Sequence, residues 1–232
     1  MTKILGIVGG IGPESTIDYY RSLVSTWRQR VPDGSYPRLI INCVDLGIML
    51  RYLNAGELDN LAAEIVAAVE RLARAGADIA LLAANTPHLV FERVAGAASI
   101  PMISIVEETR RAAEARGMKR VALFGTRFTM QAPFYPEIFR RAGIELVTPT
   151  AEEQDYIHDK YMNELIPGIF TDETRTRLES IVAALQQRGA IDGLILGGTE
   201  LPLILKEHSY GGVGVLDTTR IHVESAVERM LA

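Results

Sequence analysis

The chain has 232 residues, of which 48% are hydrophobic and 23% are charged, and its formal net charge is −5. This composition is ordinary for a globular protein, and the length allows one large or two small domains. The basic residues are scattered along an acidic chain, so no nucleic-acid partner is expected. No apolar run has the length of a membrane span or the character of a signal segment. We therefore expect no membrane association and a cytoplasmic location.

Cys43 is the only cysteine, which excludes an internal disulfide. Cysteine and histidine residues do not cluster with the spacing of metal ligands, so no metal site is expected. Because Cys43 ends an apolar run, we expect it to be buried as a small hydrophobic side chain rather than exposed as a reactive thiol.

Short apolar runs alternate with helical patterns along the chain. Strands are predicted at residues 4–8, 39–43, 79–83, 120–124, 145–147, 194–196 and 213–216, with helices at 57–75, 105–116 and 174–188. Alternation of this kind predicts an α/β fold with parallel sheets that are covered by helices.

An internal repeat relates the two parts of the chain. Three pairs of residues have nearly equal separations: Gly9 and Gly125, Gly76 and Gly189, and Ala84 and Gly198. This predicts two similar α/β halves, residues 1–116 and 117–232, with the C-terminal helix free to cross over. Parallel sheets bind ligands beyond the carboxyl ends of their strands, so we expect the strand-end loops to face an active-site cleft between the halves.

Three segments carry a resemblance to a known family. Residues 83–88 read Ala-Ala-Asn-Thr-Pro-His, residues 196–202 read Leu-Gly-Gly-Thr-Glu-Leu-Pro, and residues 6–16 form a glycine-rich loop. Together they resemble the cofactor-independent aspartate/glutamate racemase family, whose motifs read roughly C-N-T-x-H and G-C-T-E-L. Further matches at residues 123–130, 157–165 and 217–222 extend the resemblance over nearly the whole chain.

The resemblance implies a flavodoxin-like fold in each half, no cofactor and a homodimer. It also implies a mechanism in which two thiols flank the substrate's α-carbon, one removing the proton and the other returning it. Ala84 and Gly198 stand at the two thiol positions, and neither side chain carries a transferable proton. The two-thiol mechanism is therefore not possible here, and the catalytic residues are unknown. We expect the missing side chains to leave space for water or a bulkier substrate.

Short polar residues follow the predicted strands. The expected substrate-binding residues are Gly10, Ile11, Asn85, Thr86, Thr126, Thr129, Thr199 and Glu200. Free backbone N–H groups and the helix dipole at strand-to-helix turns favour a carboxylate. The alternative is that the Thr and Asn side chains only cap helices. For Glu200, the resemblance implies a contact with the substrate's amino group.

For four further residues, a functional role and a structural role are both open. Arg51 either binds a distal carboxylate or lies on the surface, and His88 either reaches the cleft or holds backbone. Structural roles are favoured for His158, as a brace between the halves, and for His222, as a support of Asp217.

The glycine-rich loop also resembles a dinucleotide-binding loop, because it follows a predicted strand and precedes a helix. Ser15 stands where the third glycine of G-x-G-x-x-G would be, and Pro13 interrupts the helix start. A small carboxylate is therefore the better ligand.

The sequence favours an isomerase of the amino-acid racemase type that acts on a small carboxylate or an amino acid. A lyase or decarboxylase acting on a small dicarboxylate is an alternative, because it needs at most one proton donor. A non-catalytic protein that binds small anions is the third interpretation.

Overall fold

The computed structural model describes residues 2–232, which form two compact units. The first unit extends to Ile105 and includes His222–Ala232, and the second is Val106–Ile221. The division into residues 1–116 and 117–232, which rests on the repeat, stays a prediction.

The first unit contains a four-stranded parallel sheet in the order β2-β1-β3-β4. Its strands are β1 (Leu5–Gly9), β2 (Leu39–Cys43), β3 (Ile79–Leu82) and β4 (Met102–Ile103). Its helices are α1 (Pro13–Arg30), α2 (Leu46–Ala55), α3 (Leu58–Arg74) and α4 (Phe91–Ala97), with a 3₁₀ turn at Thr86–Val90. Strand β1 is buried along its whole length, as expected for a central strand covered on both faces.

The second unit contains a five-stranded sheet in the order β6-β5-β7-β9-β8, in which only the β8–β9 pair is antiparallel. Its strands are β5 (Arg120–Gly125), β6 (Glu145–Val147), β7 (Gly193–Gly197), β8 (Ser209–Tyr210) and β9 (Val213–Asp217). Its helices are α6 (Arg127–Gln131), α7 (Phe134–Arg141), α8 (Ala151–Lys160), α9 (Asp172–Arg188) and α10 (Leu201–Ile204), with a π-helical segment at Tyr161–Leu165. Helices α5 (Ile105–Ala115) and α11 (Thr218–Leu231) contain the two points where the chain passes between the units.

Both sheets have the flavodoxin-like strand order, so the predicted fold class is confirmed. Counted from its own first strand, the first sheet runs 2-1-3-4. The parallel strands of the second sheet follow the same order, and the antiparallel strand β8 is added at the edge beside β9. All seven predicted strands are present to within about one residue, and the short strands β4 and β8 were not predicted.

Helix α3 shows how the sequence pattern produces the packing. Leu61, Ile65 and Leu72 recur at helical spacing, and all three are buried. Gly76 follows the helix with a φ of 97°, a left-handed conformation that ends a helix at little cost for glycine.

The expectation that Cys43 is buried is wrong. Its side chain is exposed. The strand that it ends, β2, lies at the edge of its sheet and pairs only with β1, so one side of the strand lacks a covering neighbour. Apolar composition predicted the strand but not its position in the sheet.

Candidate ligand site at the strand ends

The glycine loop of the first unit is held close to β2 and β3. Gly10 has a φ of 81°, and a Cβ placed on it would lie 2.9 Å from the backbone nitrogen of Val44. Its N–H donates to Thr16 Oγ1 over 2.9 Å, and the Ser15 hydroxyl donates to the Ala83 carbonyl over 2.7 Å. These bonds fix both ends of the short segment that contains the half-buried Ile11.

His88 holds the backbone after β3. Its Nδ1–H donates to the Ala84 carbonyl over 3.0 Å, and its Nε2 accepts from the Ile105 N–H over 3.2 Å. Burial lowers the pKa of His88 to about 3, so the ring is neutral at physiological pH. This geometry fits the backbone-holding interpretation of His88. Ala84 and Asn85, which precede it, are both buried.

His222 is buried in the first unit with both ring nitrogens engaged. Its Nε2–H donates to the Ile103 carbonyl over 3.0 Å, which leaves Nδ1 to accept from the Tyr19 hydroxyl over 2.9 Å. Burial lowers the pKa of His222 to about 4. Like His88, it is a neutral structural group at physiological pH. Because Ile103 and Tyr19 use both ring nitrogens, the expectation that His222 supports Asp217 by a hydrogen bond is wrong.

In the second unit, Thr126 begins helix α6 as its N-cap. Its Oγ1 accepts from the Thr129 N–H over 3.3 Å, and the two hydroxyl oxygens are 3.2 Å apart. Both residues are buried at the carboxyl end of β5. Thr126 therefore performs the capping role that was the alternative to ligand binding, and a cap hydroxyl is still able to donate to a ligand.

His158 contacts residues of its own unit. Its Nδ1 accepts from the Arg127 N–H over 3.2 Å, and its ring meets Phe128 edge-on with centroids 6.2 Å apart. Burial lowers its pKa, with Arg127 acting in the same direction. The role as a brace between halves stays a prediction.

A buried cluster of hydroxyl and carboxylate groups follows strand β7. The hydroxyls of Tyr161 and Thr199 both donate to Glu200 Oε2, the latter over 3.0 Å. Only 5% of Tyr161 and 1% of Glu200 are exposed. Burial, and next the Glu200 carboxylate, raise the pKa of Tyr161 well above its usual value. Sequence reasoning did not list Tyr161 as a site residue, although its segment was one of the motif matches.

The expectation of free space at Gly198 is wrong. A Cβ placed on Gly198 would lie 2.7 Å from Tyr161 Oη and 2.8 Å from its Cζ. The Tyr161 ring therefore fills the volume that a side chain at position 198 would take. Gly198 is needed for the close approach of this ring to the strand end.

Parallel pairing aligns the strand ends within each unit. Gly9 pairs with Cys43 at the ends of β1 and β2, and Gly125 pairs with Gly197 at the ends of β5 and β7. The candidate residues of the first unit on this edge are Gly10, Ile11, Asn85 and Thr86, and those of the second are Thr126, Thr129, Thr199 and Glu200. Arg51 is exposed on α2, with its guanidinium 6.0 Å from the centroid of the Tyr52 ring.

Residues 2–232 contain neither a candidate metal site nor a helix that could span a membrane. No three His, Cys, Asp or Glu side chains in that range are grouped so as to hold a metal ion. Of the helices formed by the same residues, none has the length and apolar character needed to cross a membrane.

A sequence model of the family described as Asp/Glu/Hydantoin racemase matches residues 8–226. The chain belongs to this family. It is 27% identical over 241 residues to the broad specificity amino-acid racemase RacX of Bacillus subtilis (strain 168), covering 99% of both chains.

Solved structures of the family share its fold. An aspartate racemase homologue from Pyrococcus horikoshii OT3 is 33% identical and superimposes with a TM-score of 0.85, covering 100% of both chains. Glutamate racemase from Francisella tularensis subsp. tularensis SCHU S4, solved in complex with D-glutamate, has a TM-score of 0.68 at 14% identity. That match covers 99% of this chain and 81% of the glutamate racemase. At this identity the second likeness establishes the fold alone.

Proposed function

We propose that the chain is a cofactor-independent isomerase of the amino-acid racemase type, acting on an amino acid or a small carboxylate. The observation that carries the proposal is the set of short donors at the carboxyl edges of both sheets, in a chain that belongs to the racemase family. Asn85 and Thr199 are buried at those edges, where a ligand carboxylate would meet backbone N–H groups.

In this proposal the strand-end residues of each unit are the ligand contacts of that unit. Asn85 and Thr86 in the first unit, and Thr126 and Thr199 in the second, are donors for a carboxylate, while Glu200 pairs with an amino or hydroxyl group. The broad specificity of RacX and the D-glutamate complex of the Francisella enzyme are properties of those proteins, and they support an amino-acid ligand here.

In this proposal the two-thiol mechanism plays no part, because the resemblance places Ala84 and Gly198 at the two thiol positions. Ala84 and Gly198 carry no acidic hydrogen, and general acid–base groups are worth about 10²- to 10⁴-fold each. We therefore expect that racemisation of aspartate and glutamate is negligible compared with that of a two-thiol enzyme. Any α-proton chemistry has to use other groups.

The test is an incubation of both enantiomers of aspartate, glutamate and several neutral amino acids with the protein in deuterated water. Proton NMR follows loss of the α-hydrogen signal, and chiral chromatography follows inversion. The proposal predicts α-hydrogen exchange for at least one amino acid that binds.

Two other results would contradict the proposal and separate its rivals. Binding with no exchange for any member of the panel indicates a non-catalytic binding protein. New product signals from a dicarboxylate indicate a lyase or decarboxylase. Heat-denatured protein is the control for uncatalysed exchange.

A further inference from the structure

Tyr161 and Glu200 form a hydrogen-bonded pair that is withdrawn from solvent. The phenol donates to Glu200 Oε2, the same oxygen to which Thr199 Oγ1 donates over 3.0 Å. All three side chains are buried, and a hydrogen bond between titratable groups is strengthened in such surroundings. A buried phenol–carboxylate pair is an arrangement in which a proton can pass between two oxygens.

The pair lies at the carboxyl edge of the second sheet, where the proposed ligand residues are. Glu200 is three residues beyond the end of β7, and the Tyr161 ring lies against Gly198 with Oη 2.7 Å from the place of a Cβ. Tyr161 begins the π-helical segment Tyr161–Leu165, a rare distortion that is frequent at functional sites. The fold thus places a phenol oxygen directly over a strand end that has no side chain of its own.

The ring nitrogens of the two buried histidines, His88 and His222, are already used in structural hydrogen bonds. His88 uses both ring nitrogens on backbone groups, and His222 uses its two on a carbonyl and the Tyr19 hydroxyl. Burial keeps both rings neutral at physiological pH. In the second unit, Tyr161 and Glu200 are a titratable pair at a strand end whose mutual geometry suits proton transfer.

We infer that Tyr161, acting together with Glu200, is the group that exchanges a proton with the substrate's α-carbon on the Gly198 side; this rests on the proposed isomerase function. The phenol oxygen accepts the α-proton while its own proton passes to Glu200 Oε2. The C–H electron pair stays on the α-carbon as a carbanion. The reverse transfers return a proton to the carbon, and the proton on Glu200 exchanges with solvent in between.

In this relay the Tyr161 phenol stays neutral throughout, as its buried position beside a carboxylate requires. Burial and the nearby Glu200 carboxylate hold the pKa of Tyr161 well above its usual value, so the phenol stays protonated before the reaction. In the relay Tyr161 gains one proton as it loses another, and no phenolate has to form beside a carboxylate. Tyr161 is the catalytic residue in this scheme, and Glu200 acts through it.

The experiment compares Tyr161→Phe with the wild type in the deuterium exchange assay. We expect exchange to fall by about 10²- to 10⁴-fold, while the calorimetric dissociation constant of the same amino acid is unchanged. Tyr135→Phe is the matched control, because Tyr135 is also a buried tyrosine of the second unit but bonds to Thr109 on a helix. It should exchange like the wild type.

A second variant substitutes another proton carrier at the same place. Tyr161→Ala/Gly198→Cys removes the ring and introduces a thiol, and it should recover exchange with a pH dependence near the thiol pKa of about 8.5. Recovery would place the reacting carbon beside position 198, where the Tyr161 hydroxyl lies. Tyr161→Phe separates a catalytic from a structural role, because it keeps the ring against Gly198 and removes only the hydroxyl. If Tyr161→Phe fails to fold, Glu200→Gln decides, since wild-type exchange at saturating amino acid in a folded Glu200→Gln protein contradicts the relay.

The outcomes separate this inference from the proposed function. Exchange by the wild type that persists unchanged in Tyr161→Phe overturns the role of Tyr161 and leaves the isomerase proposal standing. Binding without exchange by the wild type overturns both. Loss of exchange in Tyr161→Phe with intact binding supports both.

Discussion

At the scale of single residues, Gly198 and Tyr161 form a tightly coupled pair. A Cβ at position 198 would lie 2.8 Å from Tyr161 Cζ, and the ring is buried. We predict that Gly198→Ala lowers the free energy of unfolding by about 1–3 kcal/mol, the usual cost of overpacking. In Tyr161→Ala/Gly198→Ala the cost should be less than the sum of the single changes, because the clash is gone. Urea unfolding measures both.

A matched glycine provides the control for Gly198→Ala. Gly96 lies in α4, and a Cβ placed on it meets nothing within 4 Å. Gly96→Ala should therefore raise stability by about 0.5–1 kcal/mol through helix propensity. If Gly198→Ala proved as stable as the wild type, the Tyr161 ring would be able to move away from position 198 without cost.

Glu200 gives a second prediction at this scale, which depends on the proposed function. If Glu200 pairs with a substrate ammonium, Glu200→Gln should weaken aspartate binding by about 1.5–3 kcal/mol, the range for hydrogen bonds to charged groups. Succinate lacks the ammonium, so its affinity should stay the same or increase when a nearby negative charge is removed. Calorimetric titrations of both ligands against both proteins test this. Equal aspartate affinity for the two proteins would remove Glu200 from substrate recognition.

At the scale of elements, the loop between β1 and α1 depends on a glycine that approaches β2. Gly10 has a φ of 81°, and a Cβ there would lie 2.9 Å from the Val44 nitrogen. Gly34 has a similar φ of 84° but nothing within 4 Å of a Cβ. Either alanine variant carries a left-handed strain of about 1–3 kcal/mol, and we predict that Gly10→Ala costs clearly more than Gly34→Ala.

The difference between the two variants isolates the steric term. Chemical unfolding of both proteins under the same conditions gives this difference directly. Equal costs would mean that the loop shifts away from Val44 without penalty, and the loop would then be a poor scaffold for a ligand.

At the scale of the whole molecule, buried histidines should make the protein sensitive to acid. The folded-state pKa values of His88 and His222 are about 3 and about 4, against about 6.5 in an unfolded chain. Below pH 6.5 the unfolded chain binds more protons than the folded protein. Stability is therefore lost as pH falls from about 6.5 towards 4, with a slope approaching about 1.4 kcal/mol per pH unit for each group.

A neutral replacement tests this dependence. His222→Gln should reduce the slope of unfolding free energy against pH between about 6.5 and 4, because one of the titrating groups is gone. The wild type measured under the same conditions is the reference for this slope. An identical slope in His222→Gln would show that acid sensitivity has another origin.

The local pattern of apolar and polar residues was enough to predict most of the fold. Apolar runs and helical spacing predicted the strands that build both parallel sheets, because covered parallel strands need continuous apolar residues. Helix α3 and its glycine stop followed from the same reasoning. The strand-end segments that hold Asn85 and Thr199 were also located, since a site in a parallel α/β fold lies where its strands end.

Contacts between distant segments could not be predicted in this way. Cys43 is exposed because β2 took an edge position, which depends on the strand order and not on the apolar run itself. Tyr161 and Glu200 are 39 positions apart, and their meeting over Gly198 depends on how the π-helical segment packs against the end of β7. Backbone periodicity is set by near neighbours and is visible in the sequence, whereas the filling of one glycine's volume by a remote ring is set by close packing of the folded chain.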